Sequence, residues 1–524
     1  MRWKWLAASM VFGLVLTACG TRLADEEFSL LIESGGGAVG SQGGDPADDA
    51  GDTAVDLDGL AVDGEAGESD GGGSDGAAAD GRSRSEGSDA SGATGGGQGG
   101  SDGGGGGAAS GAGDGGGGGS SEGPNQASDV GVSEDTITVG NLVSMGGPLG
   151  QNAFGPSYFG ANAYFTYLNQ AKGGVHGRTV EFEMCDDAED PSRNQSCAQQ
   201  LVEGEEVFAL VANATRAYAA AGYVSGQGVP DILGQPIGNE YWTHPTLYSI
   251  RSGGGYPRDG SIGVDGELYG GTLAFDFVRE EFGARKAAVF YFSVPISRAF
   301  GEHNADGLRE QGFEVLEFEV NPVAPNFAAR VQQMQEAGVE VIADSMDVNA
   351  NRNLCRAMDD AGFQVDVKLT TSQGMGRGVR EYSHPCRESL LAITESLPYS
   401  EDANEEVALF QDVMSRVYGG QFDDSLAQWA WEGWVAARSF TQAVESMGPA
   451  PTREGLMAYY DEKESYTSGD LLSPVDWQVW PFGERSEFEQ CMVASQWDEE
   501  ERDFVRLTPY PYCKTMPYLG WKPA

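Results

Sequence analysis

Cysteines are the residues of this sequence whose spacing points most directly to a chemical reaction. Seven occur in the 524-residue chain, and six of them lie beyond residue 180. In a protein outside the cytoplasm, an even set of this kind is typical of disulfides. Six cysteines allow fifteen pairings. Closeness along the chain favours three pairs, each closing a loop that stabilises the fold by about 3 kcal/mol: Cys185–Cys197, Cys355–Cys386 and Cys491–Cys513.

Metal and catalytic chemistry find little support in the sequence. No cysteines have CxxC spacing, and the four histidines are scattered, at His176, His244, His303 and His384. A nucleophile elbow between a strand and a helix and a His-Glu-x-x-His motif are both absent, and the glycine runs lack the flanking elements of a phosphate-binding loop. We therefore expect no metal site, no cofactor and no catalytic residue, with the histidines in structural or surface roles.

The seventh cysteine, Cys19, ends an N-terminal segment with the layout of a secretory signal peptide. Arg2 and Lys4 precede an apolar run, residues 6–16, that is too short to span a bilayer comfortably. Residues 16–19, Leu-Thr-Ala-Cys, resemble the bacterial lipobox, where the thiol is diacylated and the chain is cut directly before it. We predict that residues 1–18 are removed and that Cys19 carries a stable lipid anchor. A plain signal peptide with a chance cysteine is the alternative.

Residues 19–128 have the composition of a disordered tether. From Gly20 to Pro124, 36 of 105 residues are glycine and 21 are acidic, against three arginines, and Phe28 is the only aromatic residue. Such a stretch cannot bury enough apolar surface to offset its ordering entropy. A glycine-rich coil of this length reaches roughly 55–60 Å. We predict a leash, with a weak docking site at residues 26–32 as the alternative.

The remaining residues, roughly 400, are too many for one core and suit two domains. The formal charge of the whole chain is −48, of which the tether accounts for −18, so the folded part is also acidic. This charge argues against nucleic acid as a partner and against docking on an anionic membrane surface. No further apolar run of 18 or more residues follows the signal segment, so the lipid is the expected membrane attachment.

Buried-strand and helix patterns alternate through the folded part. The first series predicts strands at 136–143, 179–184 and 207–212, with helices around 159–169, 192–204 and 218–227. The second predicts strands at 287–292, 314–319 and 341–345, with helices at 299–311, 327–337 and 351–361. Two such runs predict two doubly wound α/β lobes. Ligands of these sheets bind beyond the carboxyl ends of the strands.

Several short motifs, in this order, resemble the class I periplasmic binding proteins of the Leu/Ile/Val type. They are 137–140 (ITVG), 160–165 (GANAYF), Asn169, 173–178 (GGVHGR), 185–191 (CDDAEDP), 228–230 (GVP), 235–236 (QP) and 327–331 (FAARV). The resemblance extends over about residues 132–500. It implies a substrate-binding lipoprotein of an ABC transporter, in which two lobes hinge around one small ligand.

The resemblance also implies that the chain crosses between the lobes three times. We place the crossings near 251–256, 396–399 and 480–487. The N-terminal lobe then comprises 132–253 and 398–481, and the C-terminal lobe 254–397 and 482–524.

In this family, loops of the first lobe bind the anionic end of the ligand. The loop residues here are Ser144, Asn213, Thr215, Arg216 and Gln235. Thr215 is close to the family's serine for a ligand carboxylate, and Arg216 beside it is suited to a bidentate pair. The alternative for Arg216 is an ion pair with a surface acid. Phe154 lies near the family's apolar or aromatic lid position, with core packing against its own helix as the alternative.

The second lobe departs from the family. Where amino-acid binders carry a carboxylate for the ligand's ammonium group, spacing places Gln373, a neutral amide. Met346 occupies a position that is often aromatic, and the next residue, Asp347, either compensates or caps the following helix. These differences leave an amino acid, a neutral amide and an organic or hydrophobic acid open as ligands.

The sequence therefore predicts a monomeric, lipid-anchored, extracytoplasmic solute-binding protein of a bacterial cell membrane. It captures a small molecule and delivers it to an ABC permease. An extracellular sensor or interaction lipoprotein with the same fold and no transport role is the alternative, and the long tether suits it slightly better.

Overall fold

The computed structural model describes residues 124–251, 258–261, 266–419, 426–477, 487–517 and 519–521. The predicted signal peptide, the lipidated Cys19, the tether up to residue 123 and most of the first and third crossings lie outside the described residues. None of the helices within these ranges has the length and apolar character needed to cross a bilayer.

The first lobe is built on a parallel sheet with the strand order β2-β1-β3-β4-β5. Its strands are β1 (Thr136–Val143), β2 (Thr179–Asp186), β3 (Ala209–Val211), β4 (Asp231–Gly234) and β5 (Leu247–Ser249). The helices between them are α1 (Gln151–Tyr167), α2 (Pro191–Gln199), α3 (Ala221–Gly226) and α4 (Glu240–Thr243), with π-helical turns at Leu168–Lys172 and Gln200–Gly204. The order is that of a doubly wound sheet, because the chain reverses direction beside β1.

The second lobe repeats this order and extends it. Its sheet runs β8-β7-β9-β10-β11-β12-β13, where β12 and β13 are antiparallel additions. The strands from β6 onward are β6 (Leu268–Gly270), β7 (Lys286–Phe292), β8 (Glu314–Val320), β9 (Val341–Ser345), β10 (Val367–Thr371), β11 (Leu390–Thr394), β12 (Glu487–Asp498), β13 (Asp503–Arg506), β14 (Tyr512–Pro517) and β15 (Leu519–Trp521). The helices are α5 (Leu273–Phe282), α6 (Pro295–Glu310), α7 (Phe327–Ala337), α8 (Val348–Asp360) and α9 (His384–Glu388), with 3-10 turns at Ser372–Gly374 and Arg377–Glu381. The predicted pair of doubly wound lobes is thus confirmed.

After β11 the chain returns to the first lobe through α10 (Glu405–Tyr418), α11 (Gln428–Met447) and α12 (Arg453–Asp461). Helix α11 is almost wholly buried and packs on α1. The two backbones approach so closely that a Cβ on Gly160 would lie 1.6 Å from the carbonyl oxygen of Ala430. Only glycine permits this contact, which fixes the position of α11 against the first sheet.

Three disulfides form in the pairs predicted from sequence proximity: Cys185–Cys197, Cys355–Cys386 and Cys491–Cys513.

The N-terminal edge of the first lobe also holds residues that precede β1. The buried guanidinium of Arg178 donates to the carbonyl oxygens of Gln126, Ser133 and Pro449. The folded part therefore includes residues from the end of the segment with tether composition.

Candidate functional site

The carboxyl ends of the strands of both sheets face each other across a contact between the lobes. From the second lobe, Gln373 Nε2 donates to the carbonyl oxygen of Ala153 at 3.1 Å. From the first, Trp429 Nε1 at the start of α11 donates to Ser372 Oγ at 2.9 Å. Because ligands of doubly wound sheets bind at these edges, this contact marks the candidate binding site.

An aromatic pair borders this contact. Phe154 at the start of α1 and Trp429 at the start of α11 have ring centroids 6.2 Å apart. They are 2% and 4% exposed and pack with Val143 and Ala214. This burial agrees with core packing, the alternative for Phe154, and a contact of Phe154 with a ligand stays a prediction.

Two of the predicted first-lobe residues hold the loops together. The buried Ser144 Oγ lies 2.6 Å from Asp187 Oδ1 and accepts from the N–H of Arg216 at 3.0 Å. Asn213 accepts from the N–H of Leu142 at 2.6 Å through Oδ1, and its Nδ2 donates to Asp231 at 2.8 Å. These bonds position the loops after β1 and β3, and a role of Ser144 and Asn213 in ligand contact stays a prediction.

Asp231 lies at the centre of a buried polar group beneath these loops. Its Oδ2 accepts from Asn213 Nδ2 and, at 2.9 Å, from the hydroxyl of Tyr241. The Tyr218 ring also lies close, and its hydroxyl contacts Asn213 at 3.3 Å. Burial raises the pKa of Asp231 to about 6, although the hydrogen bonds from both tyrosines and the asparagine oppose the rise.

Arg216 extends from the same loop toward solvent. Its side chain is 52% exposed, and Nη1 lies 3.5 Å from the buried carboxylate of Glu189. This ion pair is the alternative that the sequence left open for Arg216. The neighbouring Thr215 is 5% exposed.

In the second lobe, Met346 and Asp347 follow β9, and the structure favours a structural role for Asp347. Asp347 caps α8 by accepting from the N–H of Ala350 at 2.9 Å. Met346 is half-buried, and its N–H donates to Asp344 at 3.2 Å. Capping was the alternative interpretation of Asp347, so its contact with a ligand stays a prediction.

The structure also brings together polar residues that the sequence did not single out. We call Arg251, Glu395, Glu432, Gln235 and Ser372 the crossing cluster, because it lies where the chain passes between the lobes. Of these, sequence reasoning selected Gln235 alone. The guanidinium of Arg251 donates to Ser372 Oγ, and its Nε and Nη2 lie 3.1 Å from Glu395 and 3.8 Å from Glu432.

Glu432 joins the parts of the crossing cluster. Its Oε2 accepts from Gln235 Nε2 at 2.7 Å, and its Oε1 accepts from Ser396 Oγ at 2.9 Å. Burial raises the pKa of Glu432 above its ordinary value, although the positive charge of Arg251 and these hydrogen bonds oppose the rise. The carboxylate therefore links the first lobe to both the first and the second crossing.

Helix α11 positions Glu432 together with Gln428, one turn earlier. Gln428 Nε2 donates to Ser396 Oγ and to the carbonyl oxygen of Leu397, both at 2.8 Å. Residues four apart lie on one face of a helix. The sequence signal available for this part of the site was the pair Gln428 and Glu432, two polar residues four apart within the otherwise apolar segment 428–437.

Comparison with known proteins agrees with the two-lobed fold. The model of the family described as "Periplasmic binding protein" matches residues 136–502, well over half of the chain. A curated relative, Leu/Ile/Val-binding protein homolog 3 of Brucella melitensis, is 25% identical over 235 residues. That alignment covers 44% of this chain and spans 60% of the length of the relative.

Solved structures share the fold. A fatty acid ABC transporter substrate-binding protein from Thermomonospora curvata has a TM-score of 0.56 at 18% identity, covering 74% of this chain and 94% of that one. The leucine-binding protein LivK from Thermotoga maritima has a TM-score of 0.55 at 15% identity, covering 71% and 97%. A solute-binding protein from Rhodopseudomonas palustris, in complex with 3,4-dihydroxybenzoic acid, has a TM-score of 0.51 at 14% identity, covering 74% and 97%. From the extent of the family match and the two-lobed fold together, we conclude that this chain belongs to the periplasmic binding protein family.

Proposed function

We propose that this protein is a lipid-anchored extracytoplasmic receptor that captures one small molecule between its lobes and delivers it to an ABC importer. Periplasmic binding proteins bind solutes and are not enzymes, and the family implies a location outside the cytoplasm. The observation that carries the proposal is the meeting of both carboxyl edges at an aromatic pair and a charged cluster. Such an arrangement offers an apolar border and a polar end to one solute.

The names of the similar proteins limit the chemical class of the solute that we propose. Their names and titles mention leucine, isoleucine and valine, fatty acid, and 3,4-dihydroxybenzoic acid. All of these are small molecules with an apolar body and a polar end. We propose a solute of this general form, an amino acid, an amide or an organic acid.

The proposals of a lipid anchor and of a membrane partner are supported by the sequence. Cys19 follows the lipobox-like triplet, and the acidic segment after it has the composition of a tether. Tethering keeps a receptor near its membrane partner at high effective concentration. We propose a monomeric receptor with an ABC permease as its partner.

Binding is tested on the chain from Gly20 onward, purified without its signal peptide and lipid. A thermal-shift screen of amino acids, amides and organic acids is expected to raise the Tm with at least one compound, because a ligand selective for the folded state stabilises it. Native mass spectrometry of the untreated sample is a second readout. The absence of any shift and of any bound solute would contradict the solute-receptor function.

The anchor and the transport role are tested in cells. Labelled fatty acid is expected in the wild-type protein and not in Cys19→Ala, which is also expected to leave the membrane fraction. Cross-linking in intact cells is expected to capture an ABC permease. A sensor kinase in its place would support the sensing alternative instead.

A further inference from the structure

We propose that residues 28–32 of the tether add to the outer edge of β2 as an extra strand and thereby shorten the leash. The sequence left two roles open for residues 26–32, a plain tether and a weak docking site. The docking surface goes beyond the proposed function, and its effect on reach rests on the lipid anchor proposed above.

The first argument is that β2 lies at the edge of its sheet and pairs with β1 on one side. The N–H groups of Thr179 and Asp187 both donate to the chain of β1 and its start. Because successive backbone groups of a strand alternate in direction, the even-numbered residues of β2 point outward. Within the described ranges, no strand pairs with this outer side.

Side chains cover the two ends of this outer side. Asn169 accepts from the N–H of Val180 and donates to its carbonyl oxygen, both at 2.9 Å. At the other end, Arg193 Nη2 donates to the carbonyl oxygen of Asp186 at 2.9 Å. Residues 181–185 lie between these covers and form about 16 Å of strand. We call them the β2 edge.

The β2 edge presents backbone groups and an apolar surface to an incoming strand. The N–H and C=O groups of Phe182 and Met184 point outward, and no described residue bonds to them there. The Met184 side chain is 37% exposed, and the Phe182 ring stacks on Tyr158 with centroids 5.6 Å apart. Unpaired edges of this kind pair with extended peptides.

Residues 28–32, Phe-Ser-Leu-Leu-Ile, suit this edge. Phe28 is the only aromatic residue of the tether, and the segment carries no charge. In an extended strand, Phe28, Leu30 and Ile32 share one face. This arrangement places all three against the apolar side of the β2 edge, and five residues match its length.

The tether also ends beside the β2 edge. Asn125 Nδ2 donates to the carbonyl oxygens of Glu134 and His176, at 3.1 and 3.0 Å. Since His176 is three residues before the start of β2, the chain enters the folded part within about 20 Å of Phe182. The 91 residues that connect the segment to the described chain reach roughly 50–55 Å. The segment therefore reaches the edge.

A contact within one chain needs little intrinsic affinity to form. A glycine-rich connection of this length holds the segment near the edge at an effective concentration on the order of 1 mM. A contact with a Kd of about 0.1 mM is then about tenfold more populated than the open form. Even weak docking therefore protects the β2 edge about tenfold.

Charge disfavours a second copy of the protein as the occupant. Pairing of two β2 edges places Glu181 and Glu183 of one copy beside those of the other. Like charges opposite each other destabilise a strand pair, and the whole chain carries a formal charge of −48. Residues 28–32 avoid this repulsion, because the acidic residues that flank them lie outside the five that pair.

Docking changes how far the folded part reaches from the membrane. The segment begins nine residues after Cys19, so docking holds the first lobe within about 30 Å of the lipid. The undocked tether allows roughly 55–60 Å. The leash thus has a short form, which keeps the receptor at the membrane surface, and a long form.

Amide hydrogen exchange on the chain from Gly20 onward tests the docking. We expect the amides of Phe182 and Met184 to exchange about tenfold more slowly in the wild type than in Leu30→Asp, which places a charge on the apolar face of the segment. The matched control is Leu60→Asp, elsewhere in the tether, which is expected to exchange as the wild type does. Equal rates in the wild type and Leu30→Asp would overturn the proposal. Protection that persists in Leu30→Asp and rises with protein concentration would identify a second copy as the occupant and would overturn it as well.

Met184→Glu tests the edge itself. We expect the Phe182 amide to exchange about tenfold faster in this variant than in the wild type, at an unchanged Tm. The control is Val323→Glu, at an apolar residue of the second lobe that is 91% exposed, which is expected to exchange as the wild type does. Unchanged exchange in Met184→Glu would overturn the assignment of the β2 edge. Loss of docking leaves solute binding intact, whereas failure of the proposed function leaves no bound solute at all.

Discussion

The loops of the first lobe and the crossing cluster contain similar residue types, but they use them differently. In the loops, Ser144 and Asn213 bond to buried partners in their own lobe, and Arg216 pairs with Glu189. In the crossing cluster, Gln235 bonds to Glu432 of the first lobe, whereas Arg251 donates to Ser372 of the second lobe and lies beside Glu395. Both regions contain buried oxygens without a hydrogen-bond partner among the described residues, such as Asp231 Oδ1 and Gln235 Oε1. The difference is therefore that the loop residues share partners within one lobe, whereas the crossing cluster joins the two lobes.

Both regions depend on the contact between α1 and α11, and breaking that contact has the largest expected effect. We predict that Gly160→Ala lowers the free energy of unfolding by about 3 kcal/mol or more, because its Cβ would meet a backbone oxygen at 1.6 Å. Ligand affinity falls with it, since α11 carries Trp429 and Glu432. Urea denaturation and titration calorimetry measure the two effects.

Gly155→Ala is the matched control in the same helix. A Cβ at that position has its nearest neighbour, the Phe159 ring, at 3.4 Å, an ordinary contact. Gly155→Ala is expected to be neutral or slightly stabilising, because alanine favours helix. Equal stability of the two variants would show that α11 moves freely against α1, and the positioning argument for both regions would fail.

The sequence predicted the two doubly wound lobes because buried apolar runs and helical segments alternate in the order that such sheets require. It did not predict the antiparallel β12 and β13, which extend the second sheet at its edge. The crossing cluster was mostly missed for a physical reason. Gln235 and Glu432 are 197 residues apart in the chain, and no local pattern records that α11 returns to the first lobe.

Single residues are hardest to interpret from sequence where local and distant partners compete. Asp347 follows a strand, as a ligand contact would, yet the N–H of Ala350 three residues later is its partner. Trp429 gave no signal, because an aromatic residue at the start of an apolar helix is typical of a core. Its contact with Ser372 depends on how the lobes meet.

The pH dependence of stability tests the buried Asp231 beneath the loops of the first lobe. Burial raises the pKa of Asp231 from 3.8 to about 6. Between these values the folded protein holds a proton that the unfolded chain has already released. The proton on Asp231 therefore contributes fully to the free energy of unfolding below about pH 4. This contribution, up to about 3 kcal/mol, is lost as the pH rises to about 6.

The comparison of wild type with Asp231→Asn isolates this effect from other titrating groups. Among these is His303, whose pKa burial lowers to about 4. We predict that the stability of the wild type falls relative to Asp231→Asn between pH 4 and pH 6 and runs parallel to it above. Urea denaturation at half-unit intervals measures the difference. Parallel curves over the whole range would mean that Asp231 is ionised in the fold at acidic pH.

Asn213 separates a structural role from ligand contact. We predict that Asn213→Ala lowers the free energy of unfolding by about 2 kcal/mol, because it leaves the N–H of Leu142 and the carboxylate of Asp231 short of a partner. Asn349→Ala, at an exposed position on α8, is the control and is expected to change stability little. If Asn213→Ala instead kept its stability and lost ligand affinity, the first-lobe loop would be the site that the family resemblance implied.

Arg216 gives the smallest expected effect and the finest test of the comparison. We predict that Arg216→Gln changes the free energy of unfolding by less than about 0.5 kcal/mol, because a half-exposed ion pair at 3.5 Å contributes little. Titration with leucine and with 3-methylbutylamine then asks whether its guanidinium binds a carboxylate. Similar affinities of the variant and the wild type for both compounds would show that Arg216 does not bind the ligand and that its role is the ion pair with Glu189. A tenfold loss for leucine alone would mean that the first-lobe loop binds the ligand carboxylate, as the family resemblance implies.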